Sequence, residues 1–193
     1  MLFMTRIIGG LVGSIKLASP AKSTRPTSDR IRESIFSRLE ARNAVEATTV
    51  ADLYAGTGAL ALEAISRGAA EAVLVERDGK AAAVCVANTY TVQKALGKQG
   101  IDVATKVVNK SVKQFLLENQ VKLDLVFIDP PYEISNEEVS ENLEALLPTL
   151  NTDATVIVER SSRDPQPELP AGYELDDAKN YGDTTVYWLS LTA

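Results

Sequence analysis

Three acidic residues stand at the ends of apolar, strand-like runs, and their types and spacing suggest a binding site. Asp52 precedes the turn AGTG, Glu76 ends the run AVLVE, and Asp129 opens the sequence DPPY. In an open α/β sheet, ligands bind at the carboxyl ends of the strands, so these carboxylates are expected to share one edge. The chain has no histidine and one cysteine, which excludes Ser-His-Asp and Cys-His catalysis. Any chemistry must therefore use carboxylates, backbone groups or a cofactor.

The sequence DLYAGTGALALEA, residues 52–64, has the features of a loop that binds a nucleoside cofactor. Gly56 and Gly58 permit a tight turn from strand to helix and a close approach of the ligand. Glu76 lies 20 residues after Gly56, where a carboxylate can accept hydrogen bonds from both hydroxyls of a ribose. Without Glu76, a tight turn that binds no ligand would be the simpler interpretation.

The charge of Asp52 helps to distinguish between the candidate cofactors. A carboxylate four residues before Gly56 would repel the pyrophosphate of NAD, whereas it could pair with an ammonium group. S-adenosylmethionine (SAM) carries a ribose, an ammonium and one carboxylate and has no phosphate, so it fits this pattern better. A dehydrogenase stays an alternative, and competition between NADH and SAM for binding would test it.

The sequence DPPY, residues 129–132, is the candidate catalytic motif. It resembles the [DNS]-P-P-[YFW] motif of SAM-dependent methyltransferases that modify planar exocyclic amines. Such an amine is a poor nucleophile because its lone pair is delocalised into the ring. The Asp129 carboxylate and the Pro130 carbonyl can each accept one N–H and so turn the lone pair toward the methyl donor, and Tyr132 can stack on the base. Pro131 stiffens the turn, and a turn that merely ends a strand is the alternative.

The elements that would position these residues can be predicted from hydrophobic periodicity. From Thr48 onward, five strand-like runs alternate with helical stretches, which indicates βα units and a parallel sheet covered by helices on both faces. Two further strands with a turn at residues 181–183 predict an antiparallel finish to the sheet. Before Thr48, a glycine-rich segment predicts a β-hairpin, and residues 27–42 predict a capped helix.

The charge is distributed unevenly along the chain. The whole chain has 193 residues and a net charge of −6. Residues 1–42 carry eight basic and three acidic residues, a charge of +5, and the other 12 basic and 23 acidic residues give −11. We therefore predict a basic extension at 1–42 that can attract a polyanion, and a second domain at 43–193. A solvated helix face with local ion pairs is the alternative. The candidate contacts to such a polyanion are Arg6, Lys16, Arg25, Arg30 and Arg32.

The bulk composition predicts a cytoplasmic protein. No apolar run approaches the roughly 18 residues that a membrane-spanning helix needs, and the apolar part of MLFMTRIIGG is too short for a signal peptide. A single cysteine allows no disulfide within the chain.

Five segments together resemble one family over nearly the whole chain. RIIGG, RPTSDRIRESIF, DLYAGTGALALEA, DPPY and KNYGDT follow the order of the corresponding segments in the bacterial RsmD-type 16S rRNA guanine-N2 methyltransferases. This resemblance implies a Rossmann-like SAM-dependent methyltransferase fold, with a mostly parallel seven-stranded sheet, an antiparallel C-terminal hairpin and an N-terminal hairpin and helix. It implies SAM as donor, S-adenosylhomocysteine as product and no metal. It also implies, as acceptor, guanine 966 of 16S rRNA, in the small ribosomal subunit or its assembly intermediate, and a monomeric enzyme.

The resemblance also implies roles for individual residues. The turn at Asp52 would hold the methionine end of SAM, Glu76 its ribose, and Ser111 with Val112 its adenine edge. Residues 129–132 would hold the guanine amine, and the basic residues of the extension would contact the rRNA. The remaining candidate cofactor contacts are Tyr54, Ala55, Gly56, Thr57, Gly58 and Arg77.

The chain departs from the family pattern at two candidate positions. Ser111 stands where relatives commonly have Asp or Asn, and Tyr54 stands where they commonly have phenylalanine. Two other functions stay open: an adenine-N6 DNA methyltransferase, which usually needs an added recognition domain, and a non-catalytic module that binds SAM or RNA. A protein-glutamine methyltransferase would more typically have Asn in place of Asp129.

Overall fold

One seven-stranded sheet organises the computed structural model, which describes residues 5–19 and 28–192. The strand order is β5-β4-β3-β6-β7-β9-β8, in which β3 to β7 are parallel and β9 runs antiparallel to both β7 and β8. A separate pair, β1 and β2, precedes the sheet. The strands are β1 (Thr5–Arg6), β2 (Lys16–Leu17), β3 (Thr49–Asp52), β4 (Glu71–Val75), β5 (Ala104–Val108), β6 (Leu123–Ile128), β7 (Leu150–Ser161), β8 (Tyr173–Tyr181) and β9 (Thr184–Leu191).

Within the described residues, five α-helices connect the strands and cover the sheet. Short polar residues cap four of them, since the side chains of Ser28, Asp78, Ser111 and Ser135 accept hydrogen bonds from the first helical turn. The second helix begins after a glycine instead. The helices are α1 (Asp29–Ala41), α2 (Ala59–Ser66), α3 (Gly79–Gly97), α4 (Val112–Glu118) and α5 (Asn136–Leu146).

The observed architecture confirms the predicted fold class. The five strand-like runs form β3 to β7, and the tail forms the predicted antiparallel hairpin, with its turn between Tyr181 and Thr184. Apolar side chains of the parallel strands feed two hydrophobic clusters, one on each face of the sheet. This double burial explains why the runs of the central strands are apolar rather than alternating, whereas the edge strand β5 is only partly buried.

The N-terminal hairpin packs onto the body of the protein through buried polar contacts. The N–H groups of Ile8 and Gly9 donate to the carboxylate of Glu63, which is fully buried on α2. Asn88 of α3 exchanges two hydrogen bonds with Ala18 and donates another to the carbonyl of Thr57. Apolar residues of the hairpin also belong to one of the two hydrophobic clusters of the sheet. The proposed division at residue 42 stays a prediction.

No helix in residues 5–19 or 28–192 is long and apolar enough to cross a membrane.

Candidate active site

A cavity of about 450 Å³ opens at the carboxyl ends of the parallel strands. It lies beside the point where the strand order reverses, between β3 and β6, which is where open α/β sheets bind ligands. The predicted residues that line it are Asp52, Tyr54, Ala55, Gly56, Thr57, Glu76, Arg77, Ser111, Val112, Asp129, Pro130, Pro131 and Tyr132. Gly58 is the one candidate cofactor residue that lies outside this lining, directly behind the turn.

Asp52 is the most unusual group in the cavity. It ends β3 and is 1% exposed, and its Oδ1 atom has no hydrogen-bond partner within the described part of the chain. Burial raises the pKa of its carboxyl group to about 7, and the negative charges of Asp129 and Glu76 add to this shift. Backbone N–H groups of Ala61 and Tyr54 oppose it only in part. A buried carboxylate of this kind would be stabilised by a cation.

Glu76 connects the first loop to the second. Its Oε2 accepts a hydrogen bond from the N–H of Gly56 at 3.0 Å, and its Oε1 accepts one from the N–H of Asp78 at 2.7 Å. Each carboxylate oxygen can accept a further hydrogen bond, so two hydroxyl groups could still bind here. Asn109, which sequence reasoning missed, holds the same loop by donating to the carbonyls of Glu76 and Arg77.

The two glycines of the turn have different tasks. Both have a positive φ, 53° at Gly56 and 80° at Gly58, which favours glycine. A Cβ atom on Gly56 would meet no protein atom within 4 Å, so this backbone is open to a ligand. A Cβ atom on Gly58 would come within 2.8 Å of Leu74 and 3.0 Å of Cys85. Gly58 is therefore required for packing α2 against β4 and α3.

The far wall of the cavity contains the predicted adenine contacts. Ser111 caps α4, and its Oγ accepts a hydrogen bond from the N–H of Gln114 at 3.3 Å. Val112 is buried and supplies an apolar surface. Arg77 is exposed and lies 3.8 Å from Glu133, so it reaches across the cavity mouth.

The predicted catalytic motif follows β6 directly, beside the end of β3. The N–H of Leu53 donates to the carbonyl of Phe127 at 3.0 Å, so the two loops leave neighbouring strands in fixed register. Tyr132 is 61% exposed at the cavity mouth, where its ring can face an incoming planar group. Asp52 and Asp129 are close enough for each charge to affect the other.

Sequence reasoning missed the contribution of β7. Glu159 and Arg160 lie just before the end of this strand, line the cavity and are almost fully buried. Arg160 donates to the carbonyl of Ile134 at 2.8 Å and to the side chain of Asn136 at 2.9 Å, so it holds the loop that follows the DPPY motif. The available signal was the acid at the end of the run ATVIVE, which follows the rule that identified Glu76.

The structure divides the predicted RNA contacts into two groups. Arg6, Lys16 and Arg30 are exposed and lie outside the cavity. Arg32 differs from these three residues, because its side chain has no exposed surface, and its contact with RNA stays a prediction. Its Nη2 donates to the carbonyl of Arg6 and to Asp29, both at 2.8 Å, and the residue lines the cavity. Arg25 lies outside the described residues.

Comparisons with known proteins agree with this geometry. The family model described as Conserved hypothetical protein 95 matches residues 5–190. Ribosomal RNA small subunit methyltransferase D of Escherichia coli K12 is 35% identical over 178 residues, which cover 92% of this chain and 85% of that protein. The chain belongs to the RsmD family.

Three other known proteins are similar to this chain over most of their length. The protein of the same name from Haemophilus influenzae is 32% identical over 163 residues, with 83% of this chain and 80% of that one covered. The solved structure of the Escherichia coli protein yhhF has a TM-score of 0.79 and 31% identity over 98% of this chain and 99% of that chain. A hypothetical protein of Thermus thermophilus has a TM-score of 0.76 and 27% identity, covering 96% of this chain and 99% of that one.

Proposed function

We propose that this protein transfers a methyl group from SAM to the exocyclic N2 amine of a guanine in 16S rRNA, with guanine 966 as the target. The observation that carries the proposal is the pairing of two acidic sites in one cavity. The buried carboxylate of Asp52 would be stabilised by a cation, and the Asp129 motif, which follows the neighbouring strand, can accept hydrogen bonds from an amine. Membership of the RsmD family supports rRNA as the acceptor.

The residues of the cavity fit SAM in charge and in hydrogen-bonding capacity. The Oδ1 atom of Asp52 would accept a hydrogen bond from the ammonium, and Glu76 would accept hydrogen bonds from the ribose hydroxyls. The open backbone at Gly56 would lie against the methionine portion. Ser111 and Val112 would contact the adenine ring. When bound, SAM supplies an activated methyl group on a sulfonium centre.

The protein's part in the reaction is positioning and electrostatic stabilisation. Asp129 and the carbonyl of Pro130 would each accept one N–H of the guanine amine, which directs its lone pair toward the methyl group. Positive charge moves onto the amine during transfer, and these fixed acceptors stabilise it. The excess proton leaves to Asp129 or to water. Alignment of this kind alone can contribute roughly 7–11 kcal/mol.

The exposed basic residues would contact the rRNA around the cavity. Arg6, Lys16 and Arg30 belong to the N-terminal segment, which carries the positive charge of an otherwise acidic chain. Each phosphate contact would add about one unit to the dependence of log K on log salt. Because Arg6 also pairs with Asp29 at 3.2 Å, its share of RNA affinity is expected to be smaller than that of Lys16.

The deciding experiment is transfer of a labelled methyl group from SAM by the purified protein. Unmethylated small subunits, naked 16S rRNA and duplex DNA are offered separately, and the products are digested to nucleosides and identified by mass. We expect N2-methylguanosine from the subunits or the rRNA. N6-methyladenine from DNA would replace this proposal with the DNA methyltransferase, and tight SAM binding without any product would favour the non-catalytic module.

A matched pair of variants tests the role of the motif. Asp129→Asn should lower kcat by roughly a hundredfold or more, because the neutral amide lacks the negative charge that stabilises the developing cation and cannot take up the excess proton. Its Kd for SAM should change little. Asp153→Asn is the control, since Asp153 is exposed near the amino end of β7, far along that strand from the cavity. Full turnover by Asp129→Asn would exclude the proposed role.

A further inference from the structure

Arg32 has donors that the fold leaves unused. Its side chain is fully buried on α1, and only Nη2 is engaged, by Arg6 and Asp29. Its Nε and Nη1 atoms have no hydrogen-bond partner among residues 5–19 and 28–192. A buried charged group with unsatisfied N–H donors is costly, because it gives up hydration without replacement. Such a group inside a binding cavity is a candidate ligand contact.

The position of Arg32 places it on the acceptor side of the cavity. Arg32 lines the cavity together with Ser28 and Ile31 of α1 and with the turn between β8 and β9. The hydroxyl groups of Ser34 and Tyr181, 2.5 Å apart, join α1 to that turn. The predicted SAM contacts follow β3, β4 and β5, whereas this wall lies beyond β6 in the strand order. A ligand that meets Arg32 is therefore the methyl acceptor rather than the donor.

We propose that Arg32 recognises the O6 atom of the target guanine. This inference rests on the proposed function. The edge of guanine that carries the N2 amine offers two N–H donors, N2 and N1, and then one acceptor, O6. Asp129 and the carbonyl of Pro130 accept the hydrogen bonds of the amine, and the buried guanidinium of Arg32 donates to O6. Adenine presents an amine at position 6, which would face the Arg32 donors and be rejected.

Burial decides between the base and a phosphate as the partner of Arg32. The sugar-phosphate chain of a splayed-out nucleotide must continue on both sides, so its phosphates stay near the surface. Only the base enters deeply. An arginine without exposed surface can therefore meet the base, whereas exposed basic residues such as Arg30 can meet phosphates.

Single-atom changes in the acceptor test this inference. The base at the methylated position of 16S rRNA is replaced, by ligation of a synthetic segment, with 6-thioguanine or 7-deazaguanine. Both keep N1–H and the 2-amine. The wild-type protein should lose about tenfold or more in kcat/KM with 6-thioguanine, because sulfur accepts hydrogen bonds poorly, and almost nothing with 7-deazaguanine. Equal rates for guanine and 6-thioguanine would overturn the inference without any variant.

Variants of Arg32 supply the second measurement. Arg32→Met should lower kcat/KM for guanine by a similar factor and remove the difference in kcat/KM between guanine and 6-thioguanine. Arg32→Lys should restore part of that difference. The Kd for SAM should stay unchanged in both. If Arg32→Met lowers both rates equally, the residue is only structural and the inference is wrong. If the wild-type protein methylates no guanine at all, the proposed function itself has failed.

Discussion

Replacing Asp52 with asparagine should stabilise the SAM-free protein at neutral pH. The carboxyl group has a pKa of about 7 in the folded protein against an ordinary value of 3.8. Between these values the folded state holds a proton that the unfolded chain has lost, so the free energy of unfolding falls as pH rises through this window. The difference corresponds to about 4 kcal/mol at 1.36 kcal/mol per pH unit. Asparagine does not titrate and avoids this loss.

Chemical denaturation measures the effect directly. Free energies of unfolding of the wild-type protein and of Asp52→Asn are determined at intervals from pH 4 to pH 8 without SAM. The difference between the two should change in favour of the variant by up to about 4 kcal/mol over this range. Background titration of other carboxyl groups is shared by both proteins, and Asp153→Asn is the control for loss of a surface charge.

Asp52→Asn should weaken SAM binding although it stabilises the SAM-free protein. The ammonium of SAM stays protonated below its pKa of about 7.7–8, so between pH 5 and 7 the titrating group is Asp52. Affinity of the wild-type protein should rise by nearly tenfold per pH unit in this range and level off above it. The variant should bind SAM more weakly, with little pH dependence.

Two results would refute the reasoning about Asp52. One is a parallel dependence of stability on pH in the wild-type protein and the variant. The other is a SAM affinity that is independent of pH in the wild-type protein between pH 5 and 7, measured by calorimetry. Either would mean that the buried carboxyl does not titrate near neutrality or does not face the ammonium.

Three further substitutions test separate parts of the site. Glu76→Gln should raise the Kd for SAM about tenfold in calorimetry, because one hydrogen-bond acceptor is lost. An unchanged Kd would exclude Glu76 as an acceptor for the ribose hydroxyls. Gly58→Ala should lower the free energy of unfolding by roughly 2–4 kcal/mol, because of the positive φ and the close contacts at this position. Gly56→Ala should lower it by only about 1 kcal/mol and should mainly weaken SAM binding. Equal losses of stability in the two variants would contradict the different tasks assigned to the two glycines. Arg160→Met should lower kcat by about tenfold or more, because the loop after the DPPY motif loses its hydrogen bonds. Arg163→Met, a substitution of an exposed arginine near Arg160, is the control and should have the kcat of the wild type.

The fold could be predicted because its signals are local. Apolar runs alternate with helical periodicity, and small polar residues such as Ser28 and Ser135 mark helix starts, so each element can be located from a short window. The turn at Gly56 and the acid at Glu76 were also local signals. Their convergence follows from the rule that parallel strands end at one edge of the sheet.

The features that could not be predicted depend on contacts distant in sequence. Arg32 was assigned to the exposed arm because its charge is visible in the sequence, whereas its burial depends on the carbonyl of Arg6 and on packing between α1 and the sheet. Arg160 was missed for a related reason. Its role depends on reaching Ile134 across 26 residues of sequence, and no local pattern encodes that contact.

The hydrogen bond between Leu53 and Phe127 links the alignment of the two acidic residues to the stability of the whole fold. It joins the ends of two central strands whose residues are mostly buried, and the acidic residues for donor and acceptor lie within two residues of it. Hydrogen bonds in such positions open only when the whole domain unfolds, so their amide protons should exchange at the slowest, global rate. The spacing between the two acids is therefore maintained by the global cooperativity of the fold, while the surrounding loops are free to admit and release ligands. On heating, the alignment and the folded state should disappear in one transition.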